Sequence, residues 1–170
     1  AFAEELGETF GATSSSISLV YGICGFTAFT VSAVTGPLAD RIGPRPLVVA
    51  GMLLVGLGLV MTATARTLME IYVCYGLIIG LGIGFAYVPA VAAVQRWFVA
   101  WRGLASGIAA AGIGFGTALV APAAQSLSAL GDWRTAFVVS GICAAVVGVA
   151  GALLLASSPE SRGLHPDDDE

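Results

Sequence analysis

The sequence predicts an all-α, polytopic membrane protein, and three observations support that prediction. The 170 residues are 57% hydrophobic and only 11% charged, with a mean hydropathy of +0.91, whereas soluble domains carry about 25% charged residues. The few charges leave five uncharged intervals of 31, 20, 25, 29 and 25 residues, at 9–39, 46–65, 71–95, 103–131 and 135–159. Each is long enough to cross about 30 Å of hydrocarbon as a helix. Their apolar residues do not alternate with polar ones, as barrel strands require, so helices are predicted.

Five transmembrane helices follow one another along the chain, separated by short polar segments. Residues 1–13 are polar enough to form a loop, and residues 158–170 form an acidic tail. The predicted spans are about 14–38, 46–65, 71–94, 103–130 and 135–157. Pro46 suits the first turn of the second helix, and Pro122 predicts that the fourth is bent or shortened. The segment 95–102 is an amphipathic connector whose tryptophans suit a membrane–water interface.

The arginines set the predicted orientation. The short loops require successive helices to alternate in direction, which divides the arginines between the two sides. One side carries Arg41, Arg45, Arg96, Arg102 and Arg162, and the other carries Arg66 and Arg134. Because cytoplasmic loops are enriched in Lys and Arg, the five-arginine side is predicted to be cytoplasmic. The loop 1–13 is then extracytoplasmic, the tail 158–170 is cytoplasmic, and the protein is a multi-pass protein of the cell (inner) membrane.

The chain has the character of a piece of a longer protein. It begins at Ala1 without Met and without the basic n-region of a signal peptide. Five spans place the two ends on opposite sides, which is unusual for half of a transporter. We therefore expect one span to be missing from the front.

Glycines inside the third and fourth spans predict close helix packing. Six of these glycines form three pairs whose two members are four residues apart: Gly80 and Gly84, Gly103 and Gly107, and Gly112 and Gly116. Small residues at this spacing form a flat face that lets helices approach closely in lipid. Neither stretch matches a dinucleotide-binding or P-loop pattern, so nucleotide binding is not expected.

The sequence indicates neither a cofactor nor enzymatic chemistry. Cys24, Cys74 and Cys143 lie in three different apolar intervals and are read as small buried residues, not as a disulfide or a metal site. The only histidine, His165, is in the tail. No nucleophile–base pair or intramembrane acid pair is visible. The chain is therefore expected to be no enzyme, to hold no metal, and to bind no nucleic acid.

The window "GPLADRIGPR", residues 36–45, places three charges and two Gly-Pro features in ten residues of an otherwise apolar chain. Asp40 could accept hydrogen bonds from Arg41 or Arg45, or face the N-terminus of a neighbouring helix. Gly36 would let another helix approach, and the Gly-Pro step at 43–44 suits a tight turn. A plain cytoplasmic loop whose arginines only set topology explains the same residues equally well.

This window resembles the loop between the second and third helices of the major facilitator superfamily, G-x-x-x-D-R-x-G-R-[RK]. Gly36, Asp40, Arg41 and Gly43 match in register, whereas Arg45 stands one place later than the first basic residue of the pattern, because Pro44 intervenes. The stretch 80–122, which contains "RWFVAWRG", is similar to the branch of monocarboxylate transporters and oxalate/formate antiporters, as is "GDWRTAF" at 131–137.

The resemblance implies that the spans are helices two to six of a twelve-helix transporter, a partial N-terminal six-helix half. The missing first helix and the C-terminal half are then partners of this chain, together with the lipid bilayer. Such transporters work by alternating access and would move a small organic anion, coupled to a proton or by exchange. The family's loop acts as a cytoplasmic latch, which assigns Gly36, Asp40, Arg41, Gly43 and Arg45 to that role.

The resemblance also suggests which side chains touch the substrate. By family architecture the helices at 71–94 and 103–130 line the central cavity, which selects Tyr75, Tyr87, Ser106 and Phe115, although filling of helix contacts explains each of them as well. The spans carry no charged group, so a coupled carrier must place its ionisable residues in the missing parts. The alternative is a small helical membrane scaffold, or a self-associating pore protein, for which the glycine faces would serve equally well.

Overall fold

Five long helices form the described part of the chain. The computed structural model describes residues 7, 10–98, 100–130 and 132–155, and for 128–130 the backbone alone. The helices are α1 (Ser14–Ile42), α2 (Pro44–Thr64), α3 (Leu68–Trp97), α4 (Arg102–Leu130) and α5 (Trp133–Leu154). Each contains an apolar stretch long enough to cross a bilayer, which confirms the predicted all-α membrane fold. The predicted tail 158–170 and most of the loop 1–13 lie outside the described residues.

Side-chain caps explain where two of the helices begin. Thr13 precedes α1, and its hydroxyl oxygen accepts a hydrogen bond from the backbone N–H of Ser16 at 3.3 Å. Thr67 does the same for Glu70 at the start of α3, while the Glu70 carboxylate accepts from the backbone N–H of Arg66 at 2.7 Å. This reciprocal capping satisfies N–H groups that the first turn of a helix leaves without partners.

The charged window 36–45 is helical rather than a loop. α1 continues through Pro37 and Asp40 to Ile42, and α2 begins at Pro44, so only Gly43 is non-helical. Gly43 has a φ of 84°, a conformation that a residue with a Cβ rarely adopts. The reversal between the first two spans therefore takes one residue.

Two other helices differ from their predicted shape. α3 is π-helical over Tyr72–Ile79 and then α-helical through the buried Pro89. α4 continues past Pro122 to Leu130, so it is not shortened there, and the alternative of a bend at Pro122 stays a prediction. The Ser126 hydroxyl donates to the carbonyl of Pro122 at 2.9 Å.

Helix α2 is the centre of the packing, because it lies against both α3 and α5. A Cβ placed on Gly82 of α3 would lie 2.7 Å from the carbonyl oxygen of Gly51 in α2. A Cβ placed on Gly141 of α5 would lie 2.8 Å from the carbonyl oxygen of Gly56. Both distances are shorter than a real side chain tolerates, so these helices touch backbone to backbone.

An apolar cluster closes the bundle at the end opposite Asp40. Its buried members come from α1, the end of α2, α3 and α5, and are Ile17, Val20, Ala63, Ala65, Ile71, Trp133 and Phe137. Arg134 donates from Nη1 to the carbonyl oxygen of Ala63 at 2.5 Å, while its guanidinium lies 4.6 Å from the Trp133 ring centre. This arginine satisfies a carbonyl that the last turn of α2 leaves unpaired.

The predicted glycine face divides into two parts. Gly80 and Gly84 lie against α1, where an added Cβ would come within 2.8 Å of the carbonyl oxygens of Cys24 and Ala28, respectively. The Thr35 hydroxyl of α1 donates to the Gly84 carbonyl at 2.7 Å. The four predicted glycines that belong to α4 behave differently, since an added Cβ would meet no described atom within 4 Å at Gly103, Gly107, Gly112 or Gly116. Close packing of these four glycines against a helix stays a prediction, because within the described residues no helix lies opposite them.

We expect Gly82→Ala to destabilise the chain and Gly112→Ala to leave it unchanged or slightly more stable. The first adds a methyl group against the Gly51 backbone, and overpacking of this kind costs about 1–3 kcal/mol. The second adds the same methyl group in open space, where Ala is favoured over Gly by up to about 1 kcal/mol in a helix. Melting temperatures of both variants in detergent test this, and equal values would contradict the close approach of α2 and α3.

Candidate functional site

An ion pair joins α1 to α3 at the end of the bundle that carries Arg41, Arg45, Arg96 and Arg102, called here the Arg-rich end. Arg96, in the last turn of α3, donates from Nη2 to the Asp40 carboxylate. The side chains of Arg96 and Asp40 are 33% and 69% exposed. The sequence suggested Arg41 or Arg45 as the hydrogen-bond partner of Asp40, and the structure corrects this. Asp40 points across to α3 because α1 remains helical through it.

The other residues of the window surround this pair without joining it. Arg41 and Arg45 are exposed, and neither forms an ion pair within the described residues. A Cβ at Gly36 would lie 3.8 Å from Val88 of α3, so α1 and α3 run close together here. Gly43 provides the reversal into α2. The window therefore presents one paired carboxylate and two free guanidinium groups at the surface.

A cavity of about 630 Å³ lies between the helices, towards the opposite end of the bundle. All five helices contribute to its wall, among them α1 through Tyr21, α2 through Leu59, α3 through Tyr75 and α5 through Ser140. The longest wall belongs to α4, which contributes Ile113, Gly116, Thr117, Val120, Ala121 and Ala124. We call this space the inner cavity.

Aromatic rings order the α1–α3–α5 side of the inner cavity. The rings of Tyr21 and Tyr75 are 5.5 Å apart at 81°, and those of Tyr75 and Phe137 are 6.4 Å apart at 72°. Both are edge-to-face arrangements, which the ring quadrupoles favour. Tyr75 belongs to the π-helical turn of α3, and such turns occur frequently at functional sites.

The four predicted substrate contacts do not share one cavity. Tyr75 lines the inner cavity, but the other three do not. Tyr87 lies one turn beyond the cavity-lining Ile83 on α3, and Ser106 lies two turns before Ile113 on α4, so both continue the walls towards the Arg-rich end. Phe115 is 70% exposed and lies off the α4 face that lines the cavity.

The inner cavity can donate and accept hydrogen bonds but cannot neutralise an ion. Its polar groups are the hydroxyls of Tyr21, Tyr75, Thr117 and Ser140, and that of Thr117 already donates to the Ile113 carbonyl at 2.8 Å. No acidic or basic side chain is among the residues that line it. Within the part of the chain that the structure describes, no cluster of His, Cys, Asp or Glu could hold a metal ion; His165 lies outside that part.

Sequence reasoning missed three features of the site. Arg96 was assigned only to topology, because nothing in the sequence links it to a residue 56 positions earlier. Tyr21 and Ser140 were missed because they come from helices that were not expected to line a cavity. The close approach of Gly51 to Gly82 joins two helices, so a search for spacings within one helix could not find it.

The comparisons with known proteins cover nearly all of the chain. Monocarboxylate transporter 1 of Mus musculus is 33% identical over 164 residues, which are 96% of this chain and 33% of that transporter. Monocarboxylate transporter 14 of Mus musculus is 34% identical over 167 residues, covering 98% of this chain and 32% of that protein. Monocarboxylate transporter 2 of Homo sapiens is 30% identical over 158 residues, which cover 93% of this chain and 33% of that protein. The chain therefore spans about a third of the length of these relatives.

The sequence profile of the Major Facilitator Superfamily matches residues 1–170. That match agrees with the five membrane-spanning helices and with the Gly36–Gly43 motif at the Arg-rich end. On this evidence the chain belongs to the major facilitator superfamily.

Proposed function

We propose that the protein containing this chain is a secondary active transporter of small, monocarboxylate-like organic anions. The observation that carries the proposal is the similarity to monocarboxylate transporters over nearly the whole chain. Transport would follow alternating access, in which two halves rock around a central site, and would be coupled to a proton or occur by exchange. The family is one of transporters and not of enzymes.

The residues that bind the anion belong, in this proposal, to parts of the protein outside this chain. A carboxylate in a low-dielectric site needs a cation or several hydrogen-bond donors. The inner cavity offers hydroxyls and no charged side chain. A first helix and a C-terminal half would supply the cation, and Tyr87 and Ser106 would face the space between the halves.

The order of helix lengths supports a first helix. Helices α1 to α5 contain 29, 21, 30, 29 and 22 residues, in that order. A helix of 29 residues followed by one of 21 or 22 therefore occurs twice, as α1 and α2 and again as α4 and α5. Transporters of this family contain inverted three-helix repeats. Because α3 packs against both α1 and α2, its counterpart before α1 would pack against α4 and α5 and cover the open glycines of α4.

The Asp40 window acts as a latch in this proposal. Asp40 is held by Arg96 but remains 69% exposed, so its second carboxylate oxygen is open to a group on the other half. Arg41 and Arg45 are exposed beside it. If the Asp40 window contacts the other half in only one of the two conformational states, the free energy of that contact favours that state.

By the positive-inside rule the Arg-rich end would face the cytoplasm, and in this proposal the protein lies in the cell membrane. Four arginines lie at this end, against Arg66 and Arg134 at the other; Arg162 lies outside the described residues. The residues with the most exposed apolar side chains, such as Phe26, Phe29 and Leu154, would face lipid.

A second candidate function is a scaffold or pore that forms by self-association. It is favoured by α4, whose open glycines and exposed apolar side chains would suit a second copy of this chain. The two candidates differ in whether the longer protein carries out substrate transport as a single copy.

Reconstitution of the longer protein in lipid vesicles should give saturable uptake of lactate, pyruvate, formate or oxalate. Counterflow of labelled substrate against each unlabelled acid measures this, with protein-free vesicles as the control. A pH gradient, acidic outside, should accelerate net uptake if a proton accompanies the anion. No response to any of these acids would exclude the monocarboxylate proposal and leave membership of the superfamily intact.

Asp40→Asn should slow transport more than Arg96→Gln does. Both variants break the α1–α3 ion pair, which is partly exposed and contributes about 0.2–1 kcal/mol. Only Asp40→Asn also removes the charge offered to the other half, and a further contact of about 1 kcal/mol shifts the population ratio about fivefold. Arg66→Gln, at the opposite end, is the control for loss of one charge. If Asp40→Asn cycles at the normal rate, the latch assignment is wrong.

Gly116→Leu should destabilise the longer protein much more than it destabilises residues 1–170 alone. Gly116 lines the inner cavity and has open space around it in this chain. A first helix packed against α4 would fill that space and clash with the leucine, at a cost of about 1–3 kcal/mol. Equal shifts in melting temperature for the two lengths would place the first helix elsewhere.

A further inference from the structure

A second apolar depression lies outside the inner cavity, where α3 ends and α4 begins. It has a volume of about 590 Å³ and is lined by Val94, Phe98, Trp101, Leu104, Ala105, Ile108 and Ala109. Several of these side chains are well exposed, with Trp101 at 64%, Leu104 at 60% and Ile108 at 65%. We call this the connector groove.

The groove extends from the membrane surface into the hydrocarbon. Its outer edge is formed by Phe98 and Trp101, in the segment that joins two spanning helices, and Trp is enriched at the membrane–water interface. Its inner edge is formed by Ile108 and Ala109, six and seven residues after Arg102. At 1.5 Å per residue they lie about 10 Å deeper than Arg102. That depth is occupied by the first carbons of a lipid acyl chain.

Arg102 lies in the chain between Trp101 and Leu104, two residues that line the groove. Arg102, the first residue of α4, is exposed and forms no ion pair within the described residues. The nearby Arg96 differs, because Asp40 already neutralises it. The connector 95–102 contains no acidic residue that could pair with Arg102. The groove thus has an apolar wall in the hydrocarbon and, next to it at headgroup level, an arginine that pairs with no carboxylate among the described residues.

We propose that the connector groove binds one anionic phospholipid. An acyl chain lies along Leu104 and Ile108, and the headgroup phosphate accepts hydrogen bonds from the Arg102 guanidinium. Basic pockets between membrane helices bind anionic headgroups in this way. The acyl chain of a zwitterionic lipid fits the same apolar wall. Its headgroup already carries a cation beside the phosphate, so it gains less from Arg102 than an anionic headgroup does. This assignment stands on the charge and shape of the groove and does not depend on the transport proposal.

Photo-crosslinking tests the proposal on the full-length protein. The protein is placed in phosphatidylcholine bilayers that contain a trace of either phosphatidylglycerol or phosphatidylcholine with a diazirine in the upper acyl chain. Labelled peptides are identified by mass spectrometry. Because an arginine near an anionic surface contributes about 1 kcal/mol, we expect residues 98–109 to be labelled about fivefold more by phosphatidylglycerol.

Variants separate the headgroup contact from the acyl-chain contact. Arg102→Gln should lower labelling by phosphatidylglycerol to the level of phosphatidylcholine. Ala109→Phe, which fills the inner part of the groove, should lower labelling by both lipids. Arg45→Gln is the matched control, since it removes an exposed arginine at the same end and should leave the labelling of 98–109 unchanged. Unchanged labelling of the exposed α1 surface around Phe29 verifies that each variant is folded.

Three outcomes would overturn the proposal. Equal labelling of residues 98–109 by both lipids in the unmodified protein means that only the general lipid annulus touches the groove. Absence of labelling there, with normal labelling around Phe29, means that another segment or a second copy covers the groove. A loss with Arg45→Gln equal to that with Arg102→Gln means that the lipid responds to the overall charge of the Arg-rich end.

Discussion

The close approach of backbones at Gly51–Gly82 and Gly56–Gly141 is the contact on which the bundle depends. Lipid is as apolar as the helix surfaces, so burial of apolar side chains does not drive helices together within a bilayer. Association depends instead on tight van der Waals packing, and α2 obtains it on two sides by contacting α3 and α5 without an intervening Cβ. Polar contacts then strengthen two of the helix pairs: Thr35 bonds to the Gly84 carbonyl between α1 and α3, and Arg134 bonds to the Ala63 carbonyl between α5 and α2.

The same constraint explains why α4 differs from the other helices. It contacts α3 and α5 more sparsely than α2 does, and its glycines face open space in the described structure. A glycine face without a partner loses the van der Waals contacts that would stabilise it, and it exposes more backbone. The inner cavity is the direct result, because α4 packs sparsely while α2 packs closely against α3 and α5, and α1 against α3. A further helix in this position would supply the missing packing.

The spans could be predicted from the sequence because a bilayer tolerates so few charges that the uncharged intervals nearly define the helices. The ends of the helices were less predictable. Helix α1 continues four residues past its predicted end, because the chain reverses direction between α1 and α2 at Gly43 alone. The partner of Asp40 could not be predicted, since Arg96 is distant in sequence and the neighbouring Arg41 and Arg45 offer the same chemistry. Gly80 and Gly116 belong to identical spacings, yet only the first lies against a described helix. Which helix faces another is a tertiary property that local patterns do not contain.

At the Arg-rich end, the contacts between helices bear on the motion of the proposed transporter. Arg96 links the end of α3 to α1 through Asp40, whereas Arg102, six residues later, starts α4 and makes no ion pair within the described range. The connector therefore separates the end of α3, which an ion pair joins to α1, from the start of α4, which has no such pair among the described residues. In the proposed transporter, a rocking motion that changes the environment of Asp40 would reach the end of α3 through Arg96. Because α4 packs only sparsely against α3 and α5, each contact that its first residues make is a larger share of the interactions that hold it in place.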